Sequence, residues 1–133
     1  MAKTTTTQTT QPRHPEGTIV HFEHLTKDDR ALKTFFEKTF NWEFETINMG
    51  EGGDYHMFTT PNGQRGGVAA PPPEMQPGTY TYVACDDIKA TVKKVETNGG
   101  KVLMPPTEIP GMGWFFLYNV KNGPTLGCWQ GPK

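Results

Sequence analysis

Between residues 18 and 25 the chain reads Thr-Ile-Val-His-Phe-Glu-His-Leu, a β-branched and aromatic run that predicts a strand. Alternation puts His21 and Glu23 on one face and Phe22 and His24 on the other. Asp28-Asp29 then predicts a helix start, supplying an N-cap and favourable first-turn charge. Leu32, Phe35, Phe36 and Phe40 share one helical face, with Arg30, Lys33, Glu37 and Lys38 on the others, as expected of a helix packed on a sheet. Asn41 is suited to end it in a left-handed conformation. Three short strands follow over 42–47, 55–60 and 64–70, separated by Gly-Glu-Gly-Gly-Asp and a Pro-Asn-Gly turn.

Residues 71–78, Pro-Pro-Pro-Glu-Met-Gln-Pro-Gly, predict a stiff connector, because proline fixes φ and lacks the N–H a central strand needs. The order then begins again. A strand over 79–84 leads to a helix capped by Asp86-Asp87, with Ile88, Val92 and Val95 inward, and Asn98-Gly99-Gly100 stops it. Strands over 101–104, 113–119 and 125–130 complete the series, broken by Pro105-Pro106, Pro110-Gly111 and Asn122-Gly123. The chain therefore reads as an α+β fold of two paired βαβββ modules, 17–71 and 79–133, forming a cup-shaped mixed sheet with helices outside. Residues 1–16, rich in Thr and Gln without apolar periodicity, read as a flexible tail containing His14.

Composition narrows the function classes. Lys and Arg total 13 against 14 Asp and Glu, a net charge of -1, which argues against a nucleic-acid or anionic-membrane partner. No apolar run approaches the roughly 20 residues that span a bilayer, so a cytoplasmic address is the default expectation. Cys85 and Cys128 lie in apolar strand-like segments and read as buried free thiols, since two thiols do not make a disulfide framework and their spacing excludes a Cys-x-x-Cys metal motif. Gly66-Gly67 and Asn122-Gly123 read as turns rather than phosphate loops.

The element order, Val20-His21-Phe22-Glu23 ahead of Asp28, Phe35-Phe36 with Phe40-Asn41-Trp42, Val83 ahead of Asp86-Asp87, and the terminal Gly127-Cys128-Trp129-Gln130 together resemble the vicinal oxygen chelate superfamily. That superfamily includes glyoxalase I, bleomycin-resistance proteins and extradiol dioxygenases. The resemblance implies a concave small-molecule pocket, a homodimer and, in metal-dependent members, four ligands drawn from the first and last strands of each module. His21 matches the first ligand. Residues 64–70 offer only Gln64, Tyr80 stands at the third position and Gly127 at the fourth. One imidazole cannot hold a divalent ion against water, so no catalytic metal is expected.

The pocket wall expected from this reading comprises His21, Glu23, Tyr80, Trp114 and Phe116, with His21 and Glu23 as candidate general base and orienting carboxylate. His24 reads as a helix-side histidine, and the register that decides whether His56 faces the cup stays open. The alternative is a metal-dependent lyase, isomerase or dioxygenase using His21, Glu23 and His56. A third reading is an interaction protein whose cup is filled by its own side chains. Residues 104–113 read as a Pro/Gly-rich loop ahead of the seventh strand, an ordinary surface loop or, alternatively, a lid overhanging the pocket.

Overall fold

A computed structural model describes residues 14–132. The first module comprises β1 (Ile19–Leu25), α1 (Asp29–Phe40), β2 (Glu43–Asn48), β3 (Asp54–Thr59) and β4 (Arg65–Ala69), with a 3-10 turn at Gly50–Gly52. The second comprises β5 (Gly78–Ala84), α2 (Ile88–Thr97), β6 (Gly100–Ile109), β7 (Gly113–Val120) and β8 (Leu126–Gln130). The α+β expectation of two βαβββ modules therefore holds. All eight strands form one open mixed sheet in the order β2-β3-β4-β1-β5-β8-β7-β6.

Each module lays its last strand parallel on its first, with Glu23 beside Gly67 and Tyr82 beside Gly127. Antiparallel pairing of β1 with β5 joins the halves at the middle of the sheet. The shared register makes Tyr82 the counterpart of Glu23, and Tyr80, two residues earlier, the counterpart of His21. Both sides of the sheet are covered by apolar packing. On the concave side Leu25, Ala69, Tyr80, Tyr82 and Leu117 form one buried cluster, and Met75 reaches it from the proline-rich connector. On the helix side Cys85, Ile88, Phe116 and Cys128 form another, with Val92 and Val95 of α2 packed against it. The two cysteines are free and buried, as expected.

Both helix ends follow local chemistry, although α1 begins differently from expectation. Asp28 makes no side-chain cap, whereas Asp87 Oδ1 accepts from the Ala90 N–H at 3.1 Å. Asn41 takes the left-handed C-cap at φ 60°. Asp29 is the first residue of α1, and its carboxylate accepts from Nε2 of His56 at 3.0 Å. His56 Nδ1 lies 2.8 Å from the Thr46 hydroxyl, so this 3%-exposed ring ties the start of α1 to β2 and β3. Replacing His56 by alanine should destabilise the fold by about 2 kcal/mol, because two polar partners lose a buried bond. Urea denaturation checks the cost, and faster amide exchange in α1 checks its location.

Three expectations are corrected. Phe35 and Phe40 are each 51% exposed, while Phe36 alone of these stacks closely on Trp42, at 4.2 Å between centroids. Gly66 and Gly67 lie within β4 instead of a turn. Pro105 and Pro106 do not end a strand: β6 runs through them to Ile109, with its register against β7 shifting around Met104. An edge strand tolerates this because one row of its donors has no partner. The 104–113 loop thus shrinks to a hairpin turn between Ile109 and Gly113.

Of the expected tail, residues 1–13 lie outside the described residues. The Thr18 N–H and hydroxyl both donate to the Pro15 carbonyl, and the Gly17 N–H donates to Ala84 at the end of β5. No described helix is long and apolar enough to cross a membrane.

Candidate ligand site on the concave face

Strand alternation carries His21 and Glu23 to the concave side, where β3 and β5 bring a tyrosine to each flank. Tyr55 Oη donates to Glu23 Oε2 at 2.8 Å, and Tyr82 Oη donates to Glu23 Oε1 at 2.8 Å. Nε2 of His21 lies 2.7 Å from Tyr55 Oη. A phenol has one proton, and that of Tyr55 is committed to Glu23, so His21 must be the donor in this bond. The result is a directed chain from His21 Nε2–H through Tyr55 to the carboxylate. The imidazole stacks at 6.2 Å on Tyr55 and meets Tyr82 edge-on at 5.9 Å.

Burial sets the protonation of this group. It pushes the Glu23 carboxyl up against the lowering effect of the two phenol bonds, and it pushes Tyr55 and Tyr82 up with the Glu23 charge adding to it. Burial, and then the Arg65 guanidinium, bring His21 down to about 4, which leaves the ring neutral near pH 7.

The residues present do not fit a divalent ion. The final strands of the two modules offer Gly67 and Gly127 beside this cluster, and neither position has room for a ligand side chain. A Cβ on Gly67 would collide with Cζ and Oη of Tyr55, and one on Gly127 would collide with Cδ2 of Tyr82. Among the described residues no three His, Cys, Asp or Glu side chains group as a metal site. His56 is on the helix side with Asp29, so His21, Glu23 and His56 are not brought together.

The remaining expected residues divide between the faces. Tyr80 is on the concave side, 6% exposed, its hydroxyl donating to the Gln76 carbonyl at 2.6 Å. Phe116 packs beneath α2 at 0% exposure, and Trp114, two residues before it, is 39% exposed on that same helix side, so neither joins His21. The concave aromatics of these strands are Phe115 and Trp129, whose indole N–H donates to the Met112 carbonyl at 2.8 Å. His24 lies on the helix side between Phe36 and Phe58, as expected. Tyr55 and Tyr82 were not among the expected site residues. The signal for them was a glycine inside each of two strands, a mark of close approach by something large.

Comparison with known proteins agrees with the fold. Residues 18–122 match the model of the Glyoxalase/Bleomycin resistance protein/Dioxygenase superfamily. "Putative glyoxylase CFP32" of Mycobacterium tuberculosis is 32% identical over 120 aligned positions, covering 86% of this chain and 46% of the relative. "Anthracycline biosynthesis protein DnrV" of Streptomyces peucetius is 25% identical over 133 positions, covering 89% and 48%. The chain thus spans less than half the length of either relative. Among solved structures, Streptomyces coelicolor methylmalonyl-CoA epimerase superposes with a TM-score of 0.66 at 17% identity, covering 90% of this chain and all of that one. Hypothetical protein BH1468 of Bacillus halodurans gives 0.70 at 8% identity, covering 88% and 96%. At such identities the structural likeness speaks for the fold alone. The family match spans most of the chain, and with it the chain is placed in the Glyoxalase/Bleomycin resistance protein/Dioxygenase superfamily.

Proposed function

We propose that this chain binds a small organic molecule on the concave face beside His21 and does so without a catalytic metal. The observation that carries the reading is the pairing of Gly67 with Tyr55 and of Gly127 with Tyr82, which fills with phenol rings the places where ligand side chains would stand. The floor of the cup is packed by Tyr80, Tyr82 and Leu117, so a ligand meets the partly exposed shell of Tyr55, Met75, Met104, Phe115 and Trp129 around it. Such a wall, mostly apolar with few polar groups, suits a planar or apolar molecule. The anthracycline-biosynthesis role in the name of one relative makes polycyclic aromatics the first class to screen.

The test pairs elemental analysis of the purified protein with denaturation midpoints across a metabolite library, since a ligand that binds only the folded state raises stability by mass action. Metal well below one equivalent is expected, together with a midpoint raised by at least one aromatic compound and not by Zn, Ni, Mn or Fe. A stoichiometric ion that is lost on His21→Ala overturns the metal-free reading. A library without any stabilising compound favours a cup that serves only as core.

A further inference from the structure

The hydrogen-bond inventory of the cup specifies what kind of molecule it takes. Every donor its buried aromatic side chains hold is already given to the protein. Tyr55 and Tyr82 donate to Glu23, Tyr80 to the Gln76 carbonyl and Trp129 to the Met112 carbonyl. His21 gives its Nε2 proton to Tyr55. With that tautomer fixed, Nδ1 carries a lone pair, and it has no partner among the described residues. The groups facing His21 are Glu23 on its own strand, Tyr55 on β3, Arg65 on β4 and Tyr80 and Tyr82 on β5. Arg65, exposed at the start of β4, is the one cation among them, and solvent screens it.

Resting on the reading of the cup as a ligand site, we propose that its ligand is a neutral molecule bearing an O–H or N–H group, held by donation of that proton to His21 Nδ1. Tyr55 and Glu23 are positioning residues: they fix the tautomer that makes His21 an acceptor. A carboxylate or phosphate finds no free donor on the buried side chains and lies beside the Glu23 carboxylate, with only the exposed Arg65 to offset this, so it is disfavoured at Nδ1. Neutrality of the imidazole near pH 7, caused by burial and Arg65, keeps Nδ1 unprotonated and able to accept.

The experiment uses 4-nitrophenol, whose neutral and ionised forms differ in colour, against 4-nitroanisole, which has the same ring without the donor. The phenol should bind about 10-fold more tightly than the anisole, as expected for one net hydrogen bond. Its apparent pKa should rise on binding, because the neutral form is selected. His21→Leu and Tyr55→Phe should each reduce the 10-fold preference toward unity, while Arg65→Gln should leave it in place. Nitrogen NMR of the free protein should show the Nε2–H tautomer of His21. Preferential binding of the phenolate, loss of the preference in Arg65→Gln, or an Nδ1–H tautomer overturns the proposal. Equal binding of phenol and anisole, with both shifting His21 resonances, overturns it while sparing the ligand site itself. If neither compound binds and no library compound stabilises the fold, both readings fall.

Discussion

Alanine at Gly67 or at Gly127 is expected to cost the fold about 3 kcal/mol, the upper end of what overpacking does in a well-filled core. The added methyl would meet Tyr55 or Tyr82 far inside contact distance. Neither ring can yield freely, since its hydroxyl is fixed on Glu23 at 2.8 Å. Relief by rotation would break that bond and leave a buried carboxylate short of a donor, a further penalty. The mechanism is separable from a general intolerance of β4 and β8. In a double-mutant cycle, Gly127→Ala combined with Tyr82→Ala should be less damaging than the sum of the two single changes by about 1 kcal/mol or more, a coupling typical of residues in contact, on the order of 0.5–3 kcal/mol. Additive costs in urea denaturation would show that the ring and the missing side chain do not share the space.

Acid should weaken the fold through His21. A histidine held at about 4 in the folded state against 6.5 when unfolded contributes stability that is complete above pH 6.5 and is lost as pH falls through 4. Over that window the unfolded chain binds the proton first. Each tenfold difference in proton affinity between the folded and unfolded chain is worth roughly 1.4 kcal/mol, so the loss reaches about 3 kcal/mol. His24, also lowered by burial, adds to the loss in the same direction. Glu23 opposes them: its raised carboxyl favours the folded state at low pH and gives up that contribution as pH rises above its unfolded value of 4.5. Urea midpoints measured between pH 7.5 and 4.5 should therefore fall steeply in the native sequence, less in His21→Gln and more in Glu23→Gln. A His21→Gln profile parallel to the native one would remove His21 as the cause.

How much of this was legible in the sequence depended on how local the information was. Asn41, Asp87 and the Asn98-Gly99-Gly100 stop act within a turn of their own positions, and both helices end where these residues predict. The face shared by His21 and Glu23 followed from alternation within one strand. The phase of β3 did not, because Tyr55-His56-Met57-Phe58 has a large side chain at every position and nothing local says which pair turns inward. The same ambiguity misplaced Phe116, since Trp114-Phe115-Phe116 offers aromatics in both phases and the hairpin turn before Gly113 decides between them. Pro105-Pro106 looked like a break because a proline's tolerance depends on whether its strand is at an edge, which is a property of the assembled sheet. The Tyr-to-Glu23 bonds join residues 32 and 59 positions apart and have no signature short of the fold itself.

The outer strands of the sheet bear on how these molecules behave when crowded together. An open sheet leaves a row of main-chain groups at each end on which another polypeptide can lengthen it. At one end the two prolines of β6 withhold donors and the register shifts distort the row. At the other, β2 carries the exposed acids Glu43 and Glu45, so two such borders brought together would repel. Growth into fibres by adding strand to strand is thus discouraged at both borders.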